Sequence, residues 1–518
     1  MTKKGVESLL IYSSVGGDRH SNDSSFFWTL LSATSTAAVC FYGWKEWQKR
    51  QKKKKHSRTL GSNHDLMLRE EGAGLIPTTK KNKGPQCIYL DYNGTTPIHP
   101  AVLQAMMPYF TTHFGNPSSG HFYGKAPRQA MEVARRQILS LLVGEQAASS
   151  ADPQSIWFTA CGTESDNMAI QCALQAYRQT WQQRYESSTE EGFESIDDKK
   201  PIPLPHIVTS NIEHPAIEAY LQNLEKEKVC TVTYVPVQTD GRVKASDVMA
   251  ACRKDGSTIL VTLMWANNET GALQPVAEVS RYCRQHDILF HTDAAQAAGK
   301  VSVHLHDALG DADMVTLVGH KIGAPKGVAC LYVRPGCLTE GPHRNLPDGQ
   351  AILLYGGGQE FGRRAGTPNV PYIAGFGKAA ADAAQHWPQR AKHMAAVCEY
   401  LFDQLQEKIG EKRLKRHGPY AAHERLPNTL SVGIAGIHSG QLLLAVADQV
   451  AASAGATCHS TEAVSSVLQA MKIPAVWARG TLRLSVGPGT SFGDVEKAAT
   501  ILARQVEVLS SDAMEGKK

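Results

Sequence analysis

From residue 85 onward the chain alternates short β-rich runs with longer amphipathic segments, and this alternation restricts the fold more than any other feature. The runs are CIYLD (87–91), SIWFT (155–159), HIVTS (206–210), TVTYVPV (231–237), TILVTLMWA (258–266), ILFHTDAA (288–295), DMVTLVG (313–319) and VACLYVR (328–334). Apolar spacing predicts helices over 100–112, 124–143, 165–182, 214–226, 245–254, 275–286, 371–387 and 390–410. Such alternation predicts an α/β chain with a mainly parallel, doubly wound sheet and helices on both faces. Ligands of these sheets sit at the carboxyl ends of the strands. The charged stretch 183–203 reads as a surface loop before the strand at 206–210.

Composition then excludes whole classes. With 42% hydrophobic and 20% charged residues, the chain is neither disordered, collagen-like nor a polytopic membrane protein. The net charge of +5 is unevenly spread. Residues 1–80 hold 13 Lys and Arg against 7 Asp and Glu, which leaves residues 81–518 at −1. The body therefore offers no large positive field, and no nucleic-acid partner is expected. The 11 cysteines are odd in number and contain no Cys-x-x-Cys pair, so neither a disulfide framework nor a zinc ribbon is indicated, and no metal site is expected.

The positive excess belongs to the leader. After a tail at 1–25, residues 26–44 (FFWTLLSATSTAAVCFYGW) carry no charge and have aromatics at both ends, which suits one membrane-spanning helix. Residues 45–58 follow with eight Lys and Arg, against three in residues 1–25. This bias would hold everything after residue 45 on the cytosolic side of a membrane. A mitochondrial or other organellar targeting leader is the alternative, although residues 1–25 lack an Arg-rich amphipathic helix. A solvated basic run is the plainest reading of the lysines themselves. Residues 45–85 complete a basic, polar linker.

Four motifs follow strands. In FTACGTESDN (158–167), Gly162 and Thr163 turn into a helix whose first N–H groups suit a phosphate; a simple cap from Thr163 to Asp166 is the ordinary reading. In LFHTDAAQAAGK (289–300), Asp293 directly follows a buried run. In LVGHKIGAPKG (317–327), Lys321 follows another, where desolvation lowers a lysine pKa and favours Schiff-base chemistry. In SAGATCHS (453–460), Cys458 lies in a small-residue loop beside His459, which favours an accessible thiol over a buried one. An anion site, an aspartate and a lysine, each after a strand, are the parts that hold pyridoxal 5'-phosphate.

The ordered set YLDYNGTTP (89–97), FGNPSSGH (114–121), ACGTESDN (160–167), SNIEHPA (210–216), ANNETG (266–271), HTDAAQAAGK (291–300), GHK (319–321), YGGGQEFGRRAGTPN (355–369), RLPNTL (425–430), GATCHS (455–460) and LRLSVG (482–487) resembles the class V, fold-type-I pyridoxal-phosphate enzymes. More narrowly it resembles the selenocysteine lyases and cysteine desulfurases. The resemblance implies a large cofactor domain (86–370) with a mainly parallel seven-stranded sheet, and a smaller α+β domain (371–518) with which residues 86–100 associate. It implies Lys321 as the Schiff-base lysine and Asp293 as partner of the pyridine nitrogen. Gln296 and Asn268 would lie near the phenolic oxygen and ring, and His214 would stack on the pyridine and relay protons. Gly162, Thr163 and His320 would bind the phosphate, with Thr367 reaching the phosphate of a second subunit in a homodimer. Arg483, assisted by Asn93, would bind the carboxylate of a small amino-acid substrate, and Cys458 would receive the chalcogen for passage to a selenium or sulfur acceptor protein. The implied reaction converts L-selenocysteine to L-alanine. A cysteine desulfurase is the alternative, and a catalytically inactive membrane-tethered scaffold a remoter one. Three residues depart from the common pattern: Gly319 stands where many desulfurases have serine, Cys161 where glycine is common, and Gly94 where alanine is common.

Overall fold

The computed structural model describes residues 87–190, 203–342, 344–347, 349–350, 352–454 and 464–515, all within the unit Lys83–Lys518. The expected span at 26–44, the linker and Cys458 lie outside the described residues. Among the described residues, no helix is long and apolar enough to cross a membrane.

The strands in chain order are β1 (Ile88–Tyr89), β2 (Ile156–Thr159), β3 (His206–Ser210), β4 (Thr231–Val235), β5 (Thr258–Thr262), β6 (Leu289–Asp293), β7 (Met314–Val318), β8 (Ala329–Val333), β9 (Leu414–His417), β10 (Thr429–Ile434), β11 (Val450–Ala451), β12 (Ser453–Ala454) and β13 (Thr481–Ser485). Seven form the main sheet in the order β2-β8-β7-β6-β5-β3-β4. Strands β7, β6, β5, β3 and β4 pair in parallel, whereas β8 runs antiparallel to both neighbours. The reversal follows from chain length. A parallel return needs a dozen or more residues, and the link from Val318 to Ala329 is a short glycine-bearing turn. That turn holds Lys321.

Successive residues of the sheet strands point to opposite faces. Phe158, Val261, Phe290, Val315 and Cys330 pack in one core, while their neighbours Trp157, Leu260, Leu289, Met314 and Leu331 pack in another. The helix Phe122–Val143 covers the first face, and the helix beginning at Gly162 covers the second. A third core lies between the antiparallel sheet β12-β13-β10-β9 and the helix starting at Phe492. Residues 87–91, expected as a strand, contribute only β1, which pairs with β11 rather than joining the main sheet.

Two helices depart from expectation. The helices expected at 371–387 and 390–410 are one helix, Val370–Ile409, with Pro388 inside it. An internal proline costs about 3 kcal/mol. Met394, Val397, Leu401 and Leu405 beyond it are all buried, and each buried apolar side chain of that size returns roughly 1.5–3 kcal/mol. Residues 373–383 pack in the first core and residues 394–405 in the third, so the helix passes from one to the other around Pro388. The helix expected to end at 182 runs from Gly162 to Glu190. Polarity alone does not end a helix, and the stretch 183–190 holds no glycine or proline.

Candidate active site

The sheet register brings the motifs together. Thr159, the last residue of β2, and Val318, the last of β7, both pair with Ala329. The turns that follow them, at Gly162 and Gly319, therefore open side by side. A Cβ at Gly162 would sit 2.8 Å from Val318 Cγ2, so only glycine lets the helix start this close to the strand end.

Thr163 is exposed at this helix start. The expected cap from Thr163 to Asp166 does not form: the helix already begins at Gly162, which puts Thr163 inside it, and Asp166 is buried. Instead Glu164 Oε2 accepts from Ala160 N–H at 2.8 Å. Arg364 holds the same carboxylate through Nε at 2.6 Å and Nη2 at 3.1 Å. The one acid in the first turn is thus neutralised, and the N-terminus remains suited to an anion. His320 Nδ1 lies 3.1 Å from Thr95 Oγ1. Burial, then the charges of Lys321, Lys326 and Lys300, lower the His320 pKa to about 4. Gly319 also has a steric cause: a Cβ there would approach Val328 Cγ1 at 2.9 Å and Val328 O at 3.0 Å.

Asp293 ends β6, with Oδ1 accepting from Ala295 N–H at 2.9 Å. Burial raises its pKa, opposed by that hydrogen bond and by the charges of His214 and Lys321. Asp166 behind it is pushed well above the carboxylate range, first by burial and then by Asp293. His214 caps the helix Pro215–Lys226, its Nδ1 accepting from Ala216 N–H at 3.1 Å. That bond places the ring proton of neutral His214 on Nε2, the outward nitrogen. The neighbouring Glu213 is buried and raised to about 8 by desolvation, although it accepts from Ser210 Oγ and Met264 N–H.

Lys321 Nζ donates to Asn93 O at 2.5 Å and to Gly94 O at 3.0 Å. Desolvation and then the charge of Arg483 lower its pKa to about 8, against the opposing pull of Asp293 and Asp91. Arg483 Nη2 donates to Asp91 Oδ1 at 2.8 Å and Ser453 Oγ at 2.9 Å, and its Nη1 to Asn268 O at 3.2 Å. The guanidinium is thereby fixed beside Lys321.

Asn93 is 1% exposed, and its side chain is fully engaged within the chain. Its Nδ2 donates to Asn268 O and Thr429 Oγ1, and its Oδ1 accepts from Asn428 Nδ2 and Lys300 Nζ. Gln296 Nε2 donates to Asn93 O at 2.9 Å. Thr367 is exposed, apart from this network. The described residues flanking 455–463 are tied to the site. Ser453 donates to Asp91 Oδ1, and Ser465 Oγ donates to Glu269 Oε2 at 2.5 Å, next to Asn268.

Sequence reasoning missed Asp91, Glu164, Arg364, Asp166 and Lys300. Asp91 carried a legible signal, since it follows an apolar run just as Asp293 does. Lys300 lies in a quoted motif but reads as an ordinary surface lysine until its burial is known.

The donor set fits pyridoxal phosphate. A helix start with an exposed hydroxyl suits the phosphate, and a lysine of lowered pKa suits the aldehyde. Burial raises the pKa of Asp293, and a protonated ring nitrogen beside it would favour its charged form.

The model of the aminotransferase class-V family matches residues 88–184 and 198–498. A selenocysteine lyase of Bos taurus is 37% identical over 440 residues, covering 82% of this chain and 94% of the relative. A cysteine desulfurase of Nostoc sp. is 37% identical over 424 residues, covering 82% of this chain and 93% of the relative. Among solved structures, a NifS-like protein superposes with a TM-score of 0.66 at 29% identity, over 82% of this chain and 100% of that one. Set beside a sheet that delivers an anion site, a buried aspartate and a lysine of lowered pKa to one edge, these matches show that the chain belongs to the aminotransferase class-V family.

Proposed function

We propose that this protein is a pyridoxal-phosphate-dependent selenocysteine lyase that forms L-alanine from L-selenocysteine, with cysteine desulfuration as the second reading. The observation that carries the reading is the pairing of Lys321, at a pKa of about 8, with an Arg483 guanidinium already oriented by Asp91, Ser453 and Asn268 O. Pyridoxal phosphate, when bound, supplies the electron sink that makes a substrate Cα–H acidic. Gly162, Thr163 and His320 would hold its phosphate, and Asp293 its ring nitrogen, with His214, Asn268 and Gln296 around the ring.

The chain's own groups then have distinct tasks. Arg483 receives the substrate carboxylate, for which a planar guanidinium is suited. Lys321, as the free amine, takes the Cα proton. His214 moves a proton through Nε2. Asn93, saturated by internal bonds, orients Lys321 through its carbonyl rather than receiving substrate itself. The Cys458 thiolate attacks the substrate selenium; the Cβ–Se bond breaks, an S–Se bond forms, the released electron pair takes a proton at Cβ, and return of the Cα proton from Lys321 completes alanine. The selenium left on Cys458 passes to an acceptor protein.

The second reading is favoured by the relatives, which bear both names at like identity. A selenol ionises more readily than a thiol, so the two substrates make different demands on activation. Parallel turnover on L-selenocysteine and L-cysteine, with alanine, selenide and sulfide measured, decides between them. Cys458→Ser should abolish cysteine turnover and spare part of the selenocysteine turnover if the lyase reading holds. Full turnover in Lys321→Ala would sink both.

A homodimer is part of the proposal. The helix Pro100–Thr111 and the segment after it expose Leu103, Met107, Phe110, Phe114 and Phe122, an apolar set that suits a second copy. Thr367 would meet the partner's phosphate there. We also assign residues 26–44 to a membrane span with the body on the cytosolic side, on the strength of the lysine run that follows.

A further inference from the structure

Lys300 is 4% exposed and has no task in the mechanism above. Its Nζ donates to Gln296 Oε1 at 2.8 Å and to Asn93 Oδ1 at 3.3 Å. Both acceptors are amides, and each amide has its opposite end committed. Gln296 presents Nε2 to Asn93 O, a carbonyl that can only accept. Asn93 presents Nδ2 to Asn268 O, another group that can only accept. The oxygen ends of both amides must therefore face Lys300, and Lys300 must donate to both.

We propose that Lys300 is a positioning residue for the reacting amine: it pins Gln296 and Asn93, so that the Asn93 carbonyl holds Lys321 Nζ in place. Asn93 O accepts from Lys321 Nζ at 2.5 Å and from Gln296 Nε2 at 2.9 Å, which uses both of its lone pairs. Without Lys300, Gln296 Oε1 has no donor and Asn93 Oδ1 keeps only Asn428. Buried amides left so turn or admit water. A turned Gln296 sets its oxygen against Asn93 O, and the repulsion displaces the acceptor of Lys321. Lys300 makes two hydrogen bonds, and both of its partners can only accept from it. Burial, then the charges of Lys321 and Arg483, depress its pKa well below that of an ordinary lysine.

The proposal rests on the reading of Lys321 as the amine that captures pyridoxal phosphate. The test is the rate at which the apo-protein, stripped of cofactor, recaptures added pyridoxal phosphate, read as growth of the visible band. Steady-state turnover accompanies it. Lys300→Met should slow capture and lower kcat by about tenfold each, with KM within about twofold, as expected for one coupled contact. Lys300→Gln, which retains a donor, should recover most of both. Gln296→Leu, which also removes a group placed at the ring, should lose at least as much, and the double variant Lys300→Met with Gln296→Leu should lose no more than Gln296→Leu alone. Native capture and kcat in folded Lys300→Met, or losses that multiply in the double variant, would overturn the proposal. If neither Lys300 variant folds, native capture in Gln296→Leu overturns it instead. A wild-type chain that captures no cofactor fails the reading of Lys321 itself, a distinguishable result.

Discussion

At Gly319 a single carbon decides the local structure. A Cβ there would meet Val328 from two sides, through Cγ1 at 2.9 Å and the carbonyl oxygen at 3.0 Å. The backbone oxygen cannot swing away as a side chain can. Gly319→Ser, which installs the residue common in desulfurases, should therefore destabilise the fold by about 1–3 kcal/mol. Denaturant unfolding checks this, and Val328→Ala should restore only part of the loss because the oxygen remains. Lys321 supplies a second outcome at this scale. Its pKa of about 8, set by desolvation and Arg483, means that the free amine reaches half its population near pH 8, not near 10.5. Cofactor capture by the apo-protein should rise with pH to half-maximum near 8. In stability the sign is the same: between pH 8 and 10.5 the unfolded chain binds more protons at this lysine, so its contribution grows with pH. A midpoint near 10 would refute the depressed value. Lys321 and Asp293 were legible because a polar residue ending an apolar run is conspicuous in sequence. Lys300 was not, since its partner Asn93 lies 207 residues away, and nothing local reveals that its amine is buried.

Elements were legible wherever a continuous apolar run met a short turn. Strands β5 to β8 are buried throughout, and each was visible as such a run. The direction of β8 was not visible, because antiparallel pairing follows from its short link only once β7 and β8 are known neighbours. Pro388 misled for a physical reason. Its local cost is real, but the packing that outweighs it comes from two cores built by distant segments. Pro388→Ala restores a hydrogen-bond donor to the helix Val370–Ile409 while loosening the unfolded chain. The gain of about 3 kcal/mol less the unfolded-state term of about 0.4–1 kcal/mol leaves a net stabilisation of about 2 kcal/mol. Chemical denaturation of the two forms measures it. A loss of stability would show that the proline sets a bend on which the passage between cores depends.

For the molecule as a whole, the net charge of +5 conceals a body at −1, so any attraction to anionic surfaces must come from the leader. A basic run and an apolar span bind membranes by different physics, and salt separates them. Lysines near an anionic surface contribute about 1 kcal/mol each, and screening at 1 M salt shortens the reach of that attraction to about 3 Å. Insertion of residues 26–44 would instead rest on apolar burial, which salt does not screen. The full chain incubated with anionic vesicles should therefore sediment with them at both low and high salt, whereas residues 86–518 alone should remain in solution with turnover unchanged. Release of the full chain at 1 M salt would reduce the leader to a surface-bound basic linker. Failure to bind at either salt would remove the membrane from the proposal and leave organellar targeting as the leader's role. Lost turnover in the shortened chain would show that the leader supports the catalytic body.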